Sequence, residues 1–286
     1  METRVSSATK EVIIGDQQPT VLIGERINPT GKKKLQEALR AGNLETVCEE
    51  ALAQVQAGAE ILDVNVSMVG IDEATLLPEA VRIVMASVDV PLCLDSTSSE
   101  VLAAALKAYR GKPVVNSVTG EEHSLATILP LVKEYGAAVI GLVQDDEGIP
   151  NSVERRVAIA YKIVSRAEAA GIPPEDVIID VETFSVGADP TSGPKVIESI
   201  RRIKAELGVN LTLSVSNISF GLPDRALLNN AFAATAIAAG ATCLIADAGK
   251  VRPTVLAADL ILGRDKRARR YLEAYRQRQN QPSSRE

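Results

Sequence analysis

The sequence predicts a single-domain α/β protein, a (β/α)8 TIM barrel, and three observations lead to this fold class. The chain has 286 residues, and one such barrel usually takes about 250. Eight short apolar runs recur along it, each followed by a stretch with helical character, as in repeated βαβ units. Hydrophobic residues make up 46% of the chain and aromatic residues only 3%. The core is therefore aliphatic, as in parallel sheets that are buried on both faces.

The predicted strands are short apolar runs bounded by turn residues. In chain order they are VLIGER (21–26), ILDVNV (61–66), LCLDST (92–97), PVVNSV (113–118), AVIGLV (138–143), VIIDVE (177–182), LTLSVS (211–216) and CLIADA (243–248). A doubly wound open sheet is the alternative, but it usually has fewer strands and a Gly-rich turn after the first. No G-x-G-x-x-G follows the first run, so eight βα units favour the closed barrel.

The segments between the runs have the apolar periodicity of amphipathic helices. Residues 44–59 place an apolar stripe on one face and end near Gly58, a typical helix terminator. Residues 152–171 repeat the pattern, with Ser152 as a start signal and Gly171 as an end signal. Each predicted strand is thus followed by a helix that can cover the outside of the barrel.

The chain divides into three predicted segments. Residues 1–20 form an N-terminal segment that we expect to cap the bottom of the barrel. Residues 21–263 form the barrel, since no linker or low-complexity stretch interrupts them. Residues 264–286 are a basic C-terminal segment, predicted to form a surface helix followed by a disordered end.

Composition excludes several classes of function. A net charge of -6 and a pI near 5.1 argue against nucleic-acid binding, and no apolar run is long enough to span a membrane. Three scattered cysteines, Cys48, Cys93 and Cys243, predict a reducing, cytoplasmic compartment, with the last two buried in strands. The single histidine, His123, lies at a predicted helix start, which excludes His-rich metal sites and Ser-His-Asp catalysis.

Polar residues interrupt the predicted strands at their carboxyl ends, where barrels of this type build their active sites. They are Glu25, Asn28, Asp63, Asn65, Asp95, Ser96, Asn116, Ser117, Gln144, Asp145, Asp180, Glu182, Ser216, Asn217 and Asp247. Burying carboxylates is unfavourable unless they are paired or hydrogen-bonded, so a mouth of this kind indicates a polar ligand. Capping of the following helices remains an alternative for the serines.

Several ligands suit a mouth of carboxylates and amides. These groups bind magnesium, but a heterocycle rich in N–H donors, such as a pterin, is the better match. Phosphate is disfavoured, since neither a glycine-rich nest nor a basic cluster is near the strands. The residue types present also permit glycoside cleavage by paired carboxylates. Sugar sites usually contain aromatic side chains, however, and these are scarce in this chain.

Seven short motifs at these strand ends resemble one known family. They are GERIN (24–28), DVNVS (63–67), LCLDST (92–97), VNS (115–117), IGL (140–142), IID (178–180) and SNISFGLPDR (216–225). Together they resemble the pterin-binding methyltransferases, which include methyltetrahydrofolate:corrinoid methyltransferases and the folate domain of cobalamin-dependent methionine synthase. The resemblance extends over residues 21–263, and seven motifs in order, each at a strand end, make it specific.

The resemblance implies roles for matching residues. Asp95, Asn116 and Asp180 correspond to residues that hydrogen-bond the pterin ring, and Asn217 corresponds to the asparagine that reaches the methyl-bearing nitrogen. Asp63 and Asn65 line the same cavity. Further rim residues are Glu25, Asn28, Ser96, Gln144 and Ser216.

The activity implied is transfer of a methyl group between nitrogen 5 of tetrahydrofolate and the cobalt of a corrinoid. The folate substrate is tetrahydrofolate or 5-methyltetrahydrofolate. A separate protein is expected to carry the corrinoid, because His123 lacks the Asp-x-His-x-x-Gly context of a corrinoid module. The chain itself is expected to bind no metal and to form a homodimer.

Two alternatives to this activity stay open. One is an enzyme like dihydropteroate synthase, a more distant relative that carries basic residues after the seventh strand and near the eighth. This chain has Ser216-Asn217 and Ala246-Asp247 there, but Lys250 and Arg252 lie nearby. The other is a non-catalytic folate-binding subunit.

Overall fold

The computed structural model describes residues 1–280 and contains a barrel of eight parallel strands preceded by a two-stranded hairpin. The strands are β1 (Glu2–Ser6), β2 (Glu11–Gly15), β3 (Val21–Ile27), β4 (Ile61–Val64), β5 (Leu92–Asp95), β6 (Val114–Thr119), β7 (Ala138–Leu142), β8 (Val177–Asp180), β9 (Asn210–Thr212) and β10 (Cys243–Ala246). The barrel strands pair in the order β10-β3-β4-β5-β6-β7-β8-β9. Each strand from β3 to β9 therefore lies beside the next one in the chain, as the alternating pattern predicts.

The barrel closes between its last two strands. The amide of Ile245 donates to the Leu213 carbonyl at 3.0 Å, and the amide of Thr242 donates to the Leu211 carbonyl at 3.0 Å. A parallel bridge between Ser214 and Ile245 completes the seam. The predicted single-domain (β/α)8 barrel is confirmed.

Ten helices accompany the strands within residues 1–280. They are α1 (Lys33–Arg40), α2 (Glu45–Gln56), α3 (Glu73–Ser87), α4 (Ser99–Ala108), α5 (Glu122–Tyr135), α6 (Val153–Ala169), α7 (Ser192–Leu207), α8 (Arg225–Ala239), α9 (Ala248–Ile261) and α10 (Arg269–Asn280). The predicted start of α6 is confirmed, because the Ser152 side chain accepts a hydrogen bond from the Arg155 amide at 3.3 Å. Gly58 and Gly171 lie just past α2 and α6 with positive φ, which glycine adopts without strain.

The hydrophobic core has two parts. One lies between the strands and the surrounding helices, and the other fills the barrel interior. The interior part is built from Val5, Val12, Ile14, Val21, Ile23, Ile61, Cys93, Val114, Ala138, Ile140, Ile178, Cys243 and Ile245. The predicted burial of Cys93 and Cys243 in strands is confirmed, and Cys48 lies in α2 as predicted.

The hairpin β1–β2 covers the amino-terminal end of the barrel. Its residues Val5 and Ile14 are fully buried against side chains of the barrel interior. Asn210, at the start of β9, donates to the Ile14 carbonyl at 3.0 Å and to the Thr3 hydroxyl at 2.9 Å. The hairpin thus fills the bottom of the barrel, and the functional site is left to the opposite end.

Several predicted strands extend too far at their carboxyl ends. The run 211–216 is the largest error, because β9 ends at Thr212 and residues Val215–Ser219 form a 3-10 helix. The runs 61–66, 92–97, 177–182 and 243–248 also overshoot by two residues each. These four strand ends share a physical reason, because at each a polar side chain accepts a hydrogen bond from the backbone amide two residues further on, which turns the chain out of the sheet.

The C-terminal segment is fastened to the barrel base by buried charges. Asp259 of α9 is fully buried and accepts from the Thr20 hydroxyl at 2.7 Å and from Arg270 at 3.3 Å. Arg270 also donates to Glu60, at the start of β4, at 2.7 Å. The predicted surface helix is therefore present as α10, whereas the predicted disordered end falls on residues 281–286, outside the described part.

Candidate active site

A cluster of carboxyl and amide groups, with Asp63 buried and the others half-buried, lies at the ends of β4, β5 and β6. The Asn116 amide donates to Asp63 at 3.1 Å, and Asp63 is only 2% exposed. Asp95, at the end of β5, lies beside the side chains of Asp63 and Asn65. The structure therefore brings together four of the predicted pterin-binding residues from three adjacent strands and the loop after β4.

Burial controls the protonation of this cluster. It raises the pKa of Asp63 well above the ordinary value, and the negative charge of Asp95 raises that pKa further. Burial also raises the pKa of Asp95, to about 6. Both carboxyls therefore keep their protons to a higher pH than an exposed aspartate does.

Asp180, at the end of β8, provides a second buried carboxyl in the mouth. It is 5% exposed and accepts the Glu182 backbone amide at 2.7 Å. Burial raises its pKa to about 7, although that hydrogen bond and the nearby positive charge of Arg156 oppose the rise. Asp180 can therefore exist in either protonation state at neutral pH, and a ligand that donates N–H groups would favour the carboxylate.

The third part of the mouth joins β3 to the 3-10 helix after β9. Ser216 donates to the Glu25 carboxylate at 3.2 Å, and burial raises the pKa of Glu25. Asn217 follows in the same turn and is exposed, and its side-chain amide has no hydrogen-bond partner within residues 1–280. The predicted catalytic amide therefore faces open space at the mouth.

Three predicted rim residues bond to loop groups and not to the cluster, two of them within their own turns. Asn28 accepts the amide of Thr30 at 3.0 Å, and Ser96 accepts the amide of Ser98 at 3.2 Å. Gln144 donates to Glu121 at 3.5 Å. These contacts shape the loops around the mouth. Whether any of the three touches a ligand stays a prediction.

Sequence reasoning missed cations that stabilise the mouth from helices and loops. Lys32 donates to the carbonyls of Glu25 and Arg26 at 3.3 and 2.8 Å, which fixes the end of β3. Arg225, in the first turn of α8, donates to the Ser216 carbonyl at 2.7 Å. Neither residue ends a strand, so a search confined to strand ends does not find them.

Metal ligation is not indicated by the arrangement. No group of three or more His, Cys, Asp or Glu side chains is placed to hold a metal ion in the described part of the chain. Asp247 accepts from Gln54 at 3.1 Å and from the Gly249 amide at 3.2 Å, so it caps α9. That the chain binds no metal of its own stays a prediction.

The sequence matches the family of pterin binding enzymes over residues 24–247, which include β4 to β10 and the mouth. The chain belongs to the pterin-binding enzyme family. The predicted resemblance is thereby confirmed, and the match covers the part of the chain that supplies Glu25, Asp63, Asp95, Asn116, Asp180 and Asn217.

Curated relatives of this pterin-binding enzyme are methyltransferases and methionine synthases. The methylcorrinoid:tetrahydrofolate methyltransferase of Eubacterium limosum is 31% identical over 267 residues, covering 90% of this chain and 96% of the relative. Methionine synthase of Mycobacterium tuberculosis is 32% identical over 265 residues, which are 88% of this chain but 22% of that protein. The match to the first relative extends over nearly the full length of both proteins.

Solved structures similar to this pterin-binding enzyme include dihydropteroate synthases. The Yersinia pestis enzyme superposes with a TM-score of 0.71 at 16% identity, over 91% of this chain and 99% of that one. The Xanthomonas albilineans enzyme gives 0.70 at 19% identity, over 91% and 98%. At these identities the similarity establishes the fold alone.

Proposed function

We propose that this enzyme transfers a methyl group between nitrogen 5 of tetrahydrofolate and the cobalt of a corrinoid held by a separate protein. The observation that carries the proposal is the cluster of the buried Asp63 and the half-buried Asp95 and Asn116, with the buried Asp180 also in the mouth. The similarity to a methylcorrinoid:tetrahydrofolate methyltransferase over 90% of this chain supports the same conclusion.

The cluster matches the hydrogen-bonding edge of a pterin. That edge presents an amino group and ring N–H groups as donors, with a carbonyl oxygen beside them. The Asp95 and Asp180 carboxylates would accept from the donors, while the Asn116 amide can both donate and accept. Asp95 is packed beside Asp63 and Asn65, and Asn116 is bonded to Asp63, so the pterin would meet acceptors that are already oriented.

Methyl transfer from the folate breaks the bond from carbon to nitrogen 5 and forms a bond from carbon to cobalt(I). The electron pair of the broken bond stays on nitrogen 5, which takes up a proton. Asn217 would donate a hydrogen bond that strengthens as charge develops at this nitrogen, so it would stabilise the transition state selectively. In the opposite direction, the nitrogen loses its proton and accepts the methyl group from methylcobalt.

Dihydropteroate synthase activity is a weaker candidate, because it requires cations for the pyrophosphate of its substrate. Lys250 lies 3.4 Å from Asp247, and Arg252 donates to the Gly58 carbonyl at 2.9 Å near the amino-terminal end of β4. Arg252 is therefore directed toward the barrel base. The turn after β9 presents Ser216 and Asn217 in place of a basic residue.

The corrinoid protein would dock on the open mouth. Large apolar side chains are exposed on the loops there, with Val69 after β4 94% exposed and Leu227 in the first turn of α8 65% exposed. A modest contact of this kind suits a partner that must leave for a second methyltransferase. By resemblance we also infer a homodimer, and from the scattered cysteines a cytoplasmic location. In the described residues no helix is both long and apolar enough to cross the bilayer.

The proposal is tested by mixing the purified enzyme with methyltetrahydrofolate and cob(I)alamin and following the cobalamin spectrum. Conversion to methylcobalamin is expected, with the Asn217→Ala variant as the impaired control. Tight binding of methyltetrahydrofolate with no transfer to cob(I)alamin or to any corrinoid protein would instead identify a non-catalytic folate-binding subunit. The absence of folate binding would overturn the proposal.

A further inference from the structure

Glu182, two residues beyond Asp180, has an unusual backbone conformation. Its φ is +54°, in the left-handed region that non-glycine residues rarely adopt. Its amide donates to Asp180 at 2.7 Å, so the turn is formed against the buried carboxyl of β8. Such conformations persist only where the surroundings enforce them, and they concentrate at functional sites.

The enforcing group is Arg156 of α6. Its side chain is 1% exposed and donates to the carbonyls of Val181 and Glu182 at 2.6 and 2.8 Å, and to the Pro150 carbonyl at 3.2 Å. A guanidinium presents its N–H groups in a rigid plane, so one side chain can hold several carbonyls at once. Arg156 forms no ion pair within residues 1–280, and backbone carbonyls are its partners.

The carboxyl of Glu182 is left without a partner. Its Oε2 atom is buried and accepts no hydrogen bond from the described residues. Burial, together with the neighbouring charge of Asp180, raises the pKa of Glu182 to about 7. A buried oxygen without a hydrogen bond is destabilising, and a bound ligand would satisfy it.

The segment after Glu182 is also joined to the turn that carries Asn217. The amide of Val186 donates to the Ile218 carbonyl at 2.9 Å, and Ser185 donates to the Phe220 carbonyl at 2.5 Å. The β8 and β9 loops therefore form one wall of the mouth. Glu182 lies within this wall, between the buried Asp180 and the loop of the exposed amide.

We propose that Glu182 is a further folate-contacting residue, whose free carboxyl oxygen hydrogen-bonds an N–H or hydroxyl group of the bound substrate, and that Arg156 is its positioning residue. This inference rests on the proposed function. It accounts for three features together: the positive φ of Glu182, the buried Arg156 that donates to backbone carbonyls, and the carboxyl oxygen of Glu182 that has no hydrogen bond.

The decisive variant is Glu182→Gly, because glycine adopts the positive φ freely and lacks the carboxyl. If Glu182 had only a structural role, the Glu182→Gly variant would have an equal or higher melting temperature and unchanged folate binding. We expect instead an equal or higher melting temperature together with about tenfold weaker binding of methyltetrahydrofolate by calorimetry. Glu182→Gln, which keeps the size of the side chain, tests the carboxyl alone.

Arg267→Gly is the matched control, since Arg267 has a φ of +60° and precedes α10, at the barrel base. It relieves similar backbone strain and should leave folate affinity unchanged. Binding within twofold of wild type in both Glu182 variants would overturn the inference while leaving the proposed function intact. Failure of the wild-type protein to bind methyltetrahydrofolate would overturn both.

The role of Arg156 is tested by a double-mutant cycle for folate affinity. Lysine cannot reproduce the three hydrogen bonds, so Arg156→Lys should weaken binding in the wild-type background. In the Glu182→Gly background the same substitution should have little further effect, because the residue that it positions is gone. Equal losses in the two backgrounds would show that Arg156 does not act through Glu182.

Discussion

The side-chain amide of Asn116 donates to the buried carboxyl of Asp63 at 3.1 Å and so connects β6 to β4 across the intervening β5. Asp95 ends that middle strand and lies beside Asp63. The three side chains are thus ordered by one another before any ligand arrives. Preorganisation of this kind lowers the cost of binding, since the acceptors lose little freedom when the ligand docks.

Truncation of the pterin-binding residues should weaken folate binding. Asp95→Ala, Asn116→Ala and Asp180→Ala each leave a buried donor or acceptor of the ligand unpaired, at about 1 to 3 kcal/mol. Calorimetric titration with methyltetrahydrofolate measures the loss. Asn43→Ala is the control, since Asn43 lies before α2 and bonds only its own turn. Wild-type affinity in all three variants would rule out this site.

Removal of the Asn217 amide should impair the reaction more than binding. Its hydrogen bond is expected to strengthen as charge develops on nitrogen 5, and loss of one such donor typically costs about 10²-fold in rate. Stopped-flow absorbance at saturating folate isolates the transfer step from binding. If the rate constant of Asn217→Ala equals that of the wild type, Asn217 has no part in the mechanism.

The stability of the ligand-free enzyme should fall as the pH rises from about 4, near the pKa of an unperturbed aspartate, to about 7, the pKa of the folded Asp180. The folded-state pKa of Asp180, about 7, exceeds the value of about 3.9 for an unperturbed aspartate. The fold therefore binds the proton more tightly than the unfolded chain, and this stabilisation is lost as the pH passes through 7. The pKa of Glu182 is also raised in the fold, so this residue contributes to the same loss of stability with rising pH.

Thermal melting at several pH values measures this dependence, and Asp180→Asn should reduce it because the amide does not titrate. Folate affinity should change in the opposite direction. A ligand that donates N–H groups prefers the carboxylate, so binding should tighten between pH 6 and pH 8. A melting temperature of Asp180→Asn that follows the wild-type curve would exclude Asp180 as the source.

Polar substitutions on the rim should slow transfer to a corrinoid protein but not to free cob(I)alamin. Val69→Ser and Leu227→Ser remove exposed apolar surface from the mouth without touching the carboxyl cluster. Ile261→Ser is the matched control, because Ile261 is 83% exposed at the end of α9, on the opposite side of the barrel. Equal rates with the corrinoid protein in all three variants would place the docking surface elsewhere.

The fold was predictable because each βα unit carries its own signals, an apolar run followed by an amphipathic helix. Strand ends were less predictable, because residues such as Asp247 and Glu182 directly follow an apolar run but lie outside the strand. Asp247 caps α9, and the positive φ of Glu182 is incompatible with a strand. The pattern of apolar and polar residues along the sequence does not indicate such backbone turns.

The carboxyl and amide cluster was predictable from residue type and position, but its supporting groups were not. Arg156 lies on α6 and donates to the Val181 carbonyl, which is tens of residues further along the chain. Arg225 begins α8 and donates to the Ser216 carbonyl in the turn after β9. The apolar pattern of the sequence indicates neither contact. Asn28 and Gln144 have the right residue type, but Asn28 bonds within its own turn and Gln144 bonds Glu121 in the loop before α5. Only three-dimensional contacts distinguish these two groups.

The bonds from Asp259 and Glu60 to Arg270 place the C-terminal helix at the same end of the barrel as the N-terminal hairpin. The N-terminal hairpin and the start of α10 therefore both lie at the base, away from the catalytic face. A barrel with this geometry can be fused to other modules at either terminus without obstructing substrate entry. The same unit can thus work as a free-standing enzyme or within a longer polypeptide, as the match to 22% of a methionine synthase illustrates.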